Sequence, residues 1–405
     1  MKKKIFVRGP VLSQSGYGEQ ARFALRALRS REDLFDVYIQ PIKWGNTGWI
    51  WEQNEFRMWM DNRIGETQAL IQQKQLQPDA SLQITIPNEF EKLCPINIGY
   101  TAGIETTKVA PVWLQKGNEM DKIIVVSNHA KNTYINTVVS ARDSNNNEFP
   151  YRLQTPIDVV SESTERAEPE PINEIELDYD FNFLMISQIS ERKNFLNSLK
   201  WWVEEFIDNK VGLVLKCNMV GNNIIDMEYV ENRIKSILSK YPDRKCKVYL
   251  LHGDLTPGQM TGLYSNKKIK ALVNISHGEG FGLPLFEAAR EGLPIVAVPW
   301  SGHLDFLVHN KKKYFADVDY TIQPVQKQAH WKGVIEPDSM WAHAEQGSYK
   351  MKLRDVHKKH KKYKKLATEL KTIIEKNFND EKLYADFVDS VNSMFDNVEN
   401  DMVVL

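Results

Sequence analysis

Two hydrophobic patterns alternate along this chain. Short apolar runs of strand length, IFVRG at 5–9, FDVYIQP at 35–41, SLQITIPN at 81–88, PINIGYT at 95–101 and KIIVVSN at 122–128, form the first. Between and after them lie stretches with apolar residues at helical spacing, such as EQARFALRALRS at 19–30 and HAKNTYINTVVS from His129. Such alternation is the βαβ rhythm of a parallel sheet, whose strands are buried on both faces. The rhythm stops after Val159, where SESTERAEPEPINEIELDYD is acidic, contains proline and has few periodic apolar residues. It resumes with NFLMISQ at 182–188, VGLVLKCNMV at 211–220, KVYLLHG at 247–253, KALVNIS at 270–276 and LPIVAVP at 293–299. The pattern predicts an α/β chain of two doubly wound domains, 1–160 and 181–337, joined by a linker at 161–180 and followed by a helical tail at 338–405. Two such halves facing each other would make a cleft, and open parallel sheets bind ligands beyond the carboxyl ends of their strands.

Composition narrows the class. Lys and Arg (52) balance Asp and Glu (53), so the chain as a whole is no electrostatic binder of nucleic acid or membrane. Cys94, Cys217 and Cys246 are odd in number, far apart and not in zinc spacing, which points to a reducing, cytoplasmic setting. No apolar run approaches 18 residues, so stable membrane insertion is not expected, and MKKKIFVRGP is too short in its apolar part for a signal peptide.

Chemistry concentrates in His277-Gly-Glu-Gly-Phe-Gly-Leu-Pro-Leu-Phe-Glu287. The strand KALVNIS runs out at Ser276, and Pro284 to Gly292 reads as a helix with proline in its first turn and glycine past its end. Gly278, Gly280 and Gly282 thus line a strand-to-helix turn whose amides and helix terminus favour a phosphate. Glu279 in the turn and Glu287 one turn into the helix can accept hydrogen bonds from hydroxyls on either side of it.

The stretch Glu279 to Val296 resembles the E-x7-E motif of the retaining glycosyltransferases of family 4, and the resemblance extends over most of the chain. It implies a GT-B fold of two facing Rossmann-like domains. It also implies that Glu279 contacts donor-sugar hydroxyls, that Glu287 holds the nucleotide ribose, and that the amides of Gly280, Phe281, Gly282 and Leu283 meet sugar and diphosphate. Ile186-Ser-Gln-Ile-Ser-Glu-Arg-Lys-Asn194 matches the place of the family's basic pair. Gln188 stands where many members carry the first Arg, while Arg192 and Lys193 form an R-K-N variant and would neutralise the leaving diphosphate. Fixed cations supply that countercharge without a metal, and none is expected. The resemblance also implies a UDP- or GDP-sugar donor, and an acceptor that is a glycan, lipid-linked or another small molecule rather than DNA.

Other stretches carry weaker signals. Ser13-Gln-Ser-Gly16-Tyr-Gly18-Glu-Gln-Ala21 formally matches G-x-G-x-x-A, the dinucleotide fingerprint. Yet Gly16 comes well after the first strand, and the second strand ends in Gln40 and Pro41 with no acid for a ribose. By the resemblance, Gly16 and Gly18 approach the donor phosphate and the acceptor. Glu105, in a stretch where many relatives have His, is a candidate beside the reacting centre; His303, on the loop after the next strand, is one for sugar or phosphate. Trp44, Trp49, Trp51 and Trp59 could stack on a sugar, though close-set aromatics more often fill a core. The triplets Asp178-Tyr-Asp180 and Asp317-Val-Asp319 lie outside the context of metal-dependent transferases. Lys358, Lys359, Lys361, Lys362, Lys364 and Lys365 sit on a helical pattern and read as a solvated face before a nucleic-acid or lipid contact. Three alternatives stay open: a sugar-nucleotide-binding protein without transfer activity, a DNA-base glucosyltransferase and an NAD-linked oxidoreductase. The oligomeric state is not legible.

Overall fold

The computed structural model describes residues 2–172 and 175–400, with side chains described as far as Phe395. The chain forms two compact units. The first takes the residues up to Ser163, Trp331–Glu336 and the chain from Asn379 onward; the second takes Thr164–His330 and Pro337–Phe378.

The first unit runs β1 (Lys3–Gly9), α1 (Gly16–Arg29), β2 (Phe35–Pro41), α2 (Glu55–Gln72), β3 (Ala80–Ile84), β4 (Ile96–Thr101), α3 (Pro111–Gly117), β5 (Lys122–Val125) and α4 (Asn128–Asn136). A hairpin of β6 (Val139–Arg142) and β7 (Glu148–Tyr151) follows, then β8 (Ile157–Val159). The sheet is parallel throughout, in the order β2-β1-β3-β4-β5-β8. Ile5, Val7, Ile39, Leu82, Ile98 and Val125 are buried, as the near-continuous apolar runs require. The helix expected from His129 stops at Asn136 because β-branched Thr137, Val138 and Val139 take extended backbone and open the hairpin.

The second unit runs β9 (Asn182–Gln188), α5 (Phe195–Phe206), β10 (Gly212–Asn218), α6 (Ile224–Leu238), β11 (Lys247–Leu251), α7 (Pro257–Ser265), β12 (Ile269–Asn274), α8 (Leu283–Arg290) and β13 (Ile295–Ala297). The one-turn α9 (Leu304–Leu307), a small hairpin of β14 (Val308–His309) and β15 (Lys312–Lys313), and β16 (Ala316–Asp317) complete it. Its parallel sheet has the order β11-β10-β9-β12-β13-β16. Numbered by appearance this is 3-2-1-4-5-6, the doubly wound order in which the winding reverses between the first and fourth strands. Here these are β9 and β12, and ligands of such sheets lie beyond their carboxyl ends. The expected α/β class, two parallel Rossmann-like sheets with C-terminal helices, is what forms.

The region after residue 338 divides. β18 (Met340–Ala344) pairs antiparallel with β17 (Tyr320–Pro324), α10 (Gln346–Lys358) and α11 (His360–Asn377) stay in the second unit, and α12 (Asp380–Asn400) belongs to the first. There Phe387 is buried with its ring 5.7 Å from that of Phe23 and 5.1 Å from that of Tyr100. Lys122 is held in the same contact, donating to Asp158 at 2.9 Å, the Ser390 carbonyl at 3.0 Å and Ser393 Oγ at 2.7 Å. The acidic stretch after Val159 is also held. Glu162, Ser163 and Thr164 are buried, and in the second unit Glu170 lies so close to α7 that a Cβ on Gly262 would meet its carbonyl oxygen at 1.9 Å. Among the described residues no helix is long and apolar enough to cross a membrane.

Candidate active site

β9 delivers the turn Ile189–Asn194 to the switch point. Asn194 has φ of 51°, a left-handed conformation that asparagine tolerates better than most residues, and its side chain donates to the Ile275 carbonyl at 3.2 Å. His277 N–H donates to the Arg192 carbonyl at 2.8 Å, so the turn is fastened to the end of β12 at two points. Arg192 and Lys193 are thereby carried toward the glycine-rich turn.

That turn occupies the second side of the switch point. Gly282 is the N-cap of α8 with φ of 97°, a backbone state that suits glycine, and a Cβ there would press on His303. Pro284 stands in the first turn of α8 as expected. Phe281 is anchored among Phe286 and Phe306, with ring centroids 5.4 and 5.0 Å away.

Glu279 is the centre of the arrangement and is 4% exposed. Lys193 Nζ donates to both its carboxylate oxygens at 2.7 Å, Arg192 Nη1 to Oε2 at 3.2 Å, and Asn274 Nδ2 and Ser276 Oγ to Oε1 at 2.9 and 3.0 Å. Its own N–H donates to Ser301 Oγ at 2.8 Å. Burial opposes ionisation, but the charges of Lys193 and Arg192, with the Asn274 and Lys193 hydrogen bonds, outweigh it and hold the carboxyl well below the usual range. A carboxylate offers about four lone-pair sites, and these four side chains use them. Arg192 also donates to the Gly278 carbonyl at 2.8 Å.

Glu287 accepts from the hydroxyl of buried Tyr264, on α7, at 2.7 Å. His303 lies against the Glu279 turn, buried, with Nε2–H donating to the Val298 carbonyl at 2.8 Å; burial lowers its pKa and keeps the ring neutral. His277 is buttressed by β17–β18: Nδ1–H donates to the Ala342 carbonyl at 2.6 Å, Nε2 accepts from Gln326 at 2.9 Å, and the ring stacks on Trp341. Burial lowers its pKa to about 4. Gln188, in place of the first basic residue, gives its amide to the Met219 carbonyl at 2.6 Å.

The structure thus gathers Glu279, Arg192, Lys193, Gly280, Phe281, Gly282, Leu283 and His303 around one turn, with Glu287 on the helix that follows. Asn274, Ser276, Ser301 and Tyr264 support them and were not foreseen; the polar end of the strand KALVNIS was the available signal for the first two.

Glu105, Gly16 and Gly18 belong to the first unit. Gly16 is the first residue of α1, and a Cβ there would meet open space. A Cβ on Gly18 would fall 1.9 Å from the Ser13 carbonyl oxygen, so Gly18 lets the helix pack against its own approach loop. Six residues separate β1 from α1, unlike the immediate glycine turn of the dinucleotide fingerprint. Tyr17 donates to or accepts from Thr101 Oγ1 at 2.8 Å, and Glu105 lies on the loop after β4, near enough to act on Tyr17 electrostatically. Asp178 pairs with Lys247 at 2.8 Å, and Asp317 with Lys313 and Lys352 at 2.7 and 3.1 Å. Among the described residues no group of three His, Cys, Asp or Glu is placed to hold a metal ion. Of the tail lysines, Lys359 pairs with Asp355 and Lys364 donates to the Gly292 carbonyl.

Two parallel sheets, each with its own loops at the carboxyl edge, make this a protein of the GT-B class, and solved structures share the fold along nearly its whole length. Sucrose-phosphate synthase of Thermosynechococcus elongatus is 12% identical with a TM-score of 0.65, covering 98% of this chain and 100% of that one. HepE of Anabaena, solved in complex with UDP and glucose, is 12% identical with a TM-score of 0.60 over 96% of this chain and 100% of its own. A glycosyltransferase of Rickettsia africae is 13% identical with a TM-score of 0.56 over 98% and 99%. No curated protein matches the chain in sequence. Residues 172–328, within the second unit and including the Glu279 turn, match the family model Glycosyl transferases group 1.

Proposed function

We propose that the chain moves a hexose or related sugar from a UDP- or GDP-sugar to a hydroxyl acceptor with retention of anomeric configuration. The observation that carries this reading is the carboxylate of Glu279 held by Lys193 and Arg192 at the switch point of the second sheet. The donor diphosphate draws Lys193 and Arg192 toward itself, and Glu279 exchanges their hydrogen bonds for those of sugar hydroxyls. The amides of Gly280 to Leu283, at the start of α8, receive phosphate and sugar oxygens. Glu287, oriented by Tyr264, takes the ribose, and His303 lines the sugar side.

In the transfer, the acceptor oxygen bonds to the anomeric carbon on the face from which the diphosphate departs. The C–O bond to phosphate breaks, its electron pair stays on the diphosphate, and the acceptor proton passes to a phosphate oxygen. No side-chain base is required. The protein contributes position and countercharge, with Lys193 and Arg192 stabilising the leaving group. Lys193 and Arg192 need no metal for this; Glu105, Gly16 and Gly18 are assigned to the acceptor side, and the working compartment is the cytoplasm.

Thermal stabilisation by UDP, GDP, ADP and NAD, with and without magnesium, tests the donor. UDP is tried first because HepE was solved with it. A nucleoside diphosphate at about 100 times its dissociation constant adds roughly 2.7 kcal/mol. Glu287→Ala should weaken that effect, while Glu279→Ala should chiefly slow transfer; stabilisation by NAD alone overturns the reading. Gln188, spent on Met219, favours a second reading, a sugar-nucleotide binder without transfer. Turnover of a donor sugar excludes it.

A further inference from the structure

We infer that Trp49 and Trp51 form a stacking platform for the acceptor, and that the acceptor is a neutral glycan. The inference rests on the reading of the chain as a sugar transferase and supplies its missing substrate class. The four clustered tryptophans part company in the structure. Trp44 packs on Tyr17 with ring centroids 4.4 Å apart, and Trp59 stacks on Phe56 and donates to Glu32. Trp49 and Trp51 instead stand in solvent, 63% and 58% exposed.

Their segment is fixed. Ile50 N–H donates to the Leu12 carbonyl at 2.8 Å and Gln14 N–H to the Gly48 carbonyl at 2.9 Å, while Trp49 pairs with Ser13 as an antiparallel bridge. Ser13 and Thr47 hydroxyls meet at 2.6 Å, and Arg57 donates to the Ile50 carbonyl at 2.7 Å. Ile50 is half-buried between the two exposed indoles. The segment follows β2 and is tied to the loop after β1, on the carboxyl edge of the first sheet, where ligands of such sheets lie.

A fixed backbone presenting two flat rings to water suits the apolar faces of sugar rings, and indoles keep an N–H for their hydroxyls. Charge selects among occupants. From Trp44 to Glu55 the chain carries Glu52 and Glu55 and no basic residue; with Lys43 alone just before it and Arg57 paired with Asp61, the loop lacks the basic cluster that docks on anionic lipid or a phosphate polymer. Asn46, Gln53 and Asn54 add exposed amide groups for hydroxyls.

The test is binding of the full chain to a panel of neutral linear oligosaccharides of glucose, galactose, mannose and N-acetylglucosamine, read by tryptophan fluorescence without donor. At least one should bind, and the W49A/W51A double variant should weaken it more than tenfold, with W49F/W51F recovering part. UDP or GDP stabilisation should match the parent in all variants. No binding by any panel member, or binding unchanged by W49A/W51A, overturns the inference. So does loss, in W49A/W51A only, of binding to phosphatidylglycerol vesicles or of self-association. Failure of nucleotide stabilisation with glycan binding intact would instead strike the donor reading.

Discussion

At the scale of single residues, the ion pair at the switch point dictates what substitution should do. Lys193→Ala removes countercharge from the leaving group, and loss of one such stabilising donor lowers turnover by about 10²–10³. Single-turnover rates at saturating donor check this. Glu279→Gln leaves Lys193 and Arg192 beside a neutral amide; breaking a buried pair in this way costs about 3–5 kcal/mol, measurable by chemical denaturation. Because the folded Glu279 carboxyl lies below its unfolded value, its contribution is complete above the unfolded pKa and fades as pH falls through the acid range. Glu279→Gln should therefore flatten acid unfolding below about pH 5. Glu162 behaves oppositely. Burial, with the charge of Glu19 beside it, pushes its pKa up to about 8, so the folded state holds a proton that the unfolded chain has released. Stability should fall as pH rises from the unfolded carboxylate pKa to about 8 and level off above it. Glu162→Gln should raise stability by on the order of a few kcal/mol at pH 8, and by little at pH 4, which melting across that range decides.

At the scale of elements, what could be read from the chain was what is encoded nearby. Strands buried on both faces declare themselves as continuous apolar runs, so β9 appears at its observed bounds and β12 shifted by one residue at its start and two at its end. The glycine turn before α8 was legible because a left-handed Gly282 and a Pro284 in the first turn leave a local mark. The supports of the site were not, since Ser301 reaches Glu279 across 22 residues and Tyr264 reaches Glu287 across 23. Nor does periodicity reveal which of several tryptophans faces water. The acidic stretch after Val159 has the composition of a solvated connection and is exposed over much of its length, but Glu162, Ser163 and Thr164 are buried, and Ser163 meets Asp380, far along the chain, at 2.6 Å. The docking of α12 on α1 is also long-range and carries a prediction. Phe387→Ala empties the contact with Phe23 and Tyr100, and truncating a buried Phe costs about 3–5 kcal/mol. Denaturant unfolding followed by tryptophan fluorescence should show that loss.

At the scale of the whole molecule, two sheets of the same kind serve different ends. The second has the winding order that gathers a charged site between β9 and β12, while the first, in the order β2-β1-β3-β4-β5-β8, reverses between β1 and β3 and presents the loop tied to Trp49 and Trp51. The chain does not finish one before starting the other, because Trp331–Glu336 and α12 return to the first unit. During synthesis the first sheet leaves the ribosome early, yet Lys122 and the Phe23 face must wait more than 200 residues of translation for their partners on α12. Until then that face stays apolar and uncovered, a surface for chaperones or for aggregation, and a nascent chain stalled before Asp380 carries an N-terminal half that proteases should still be able to open.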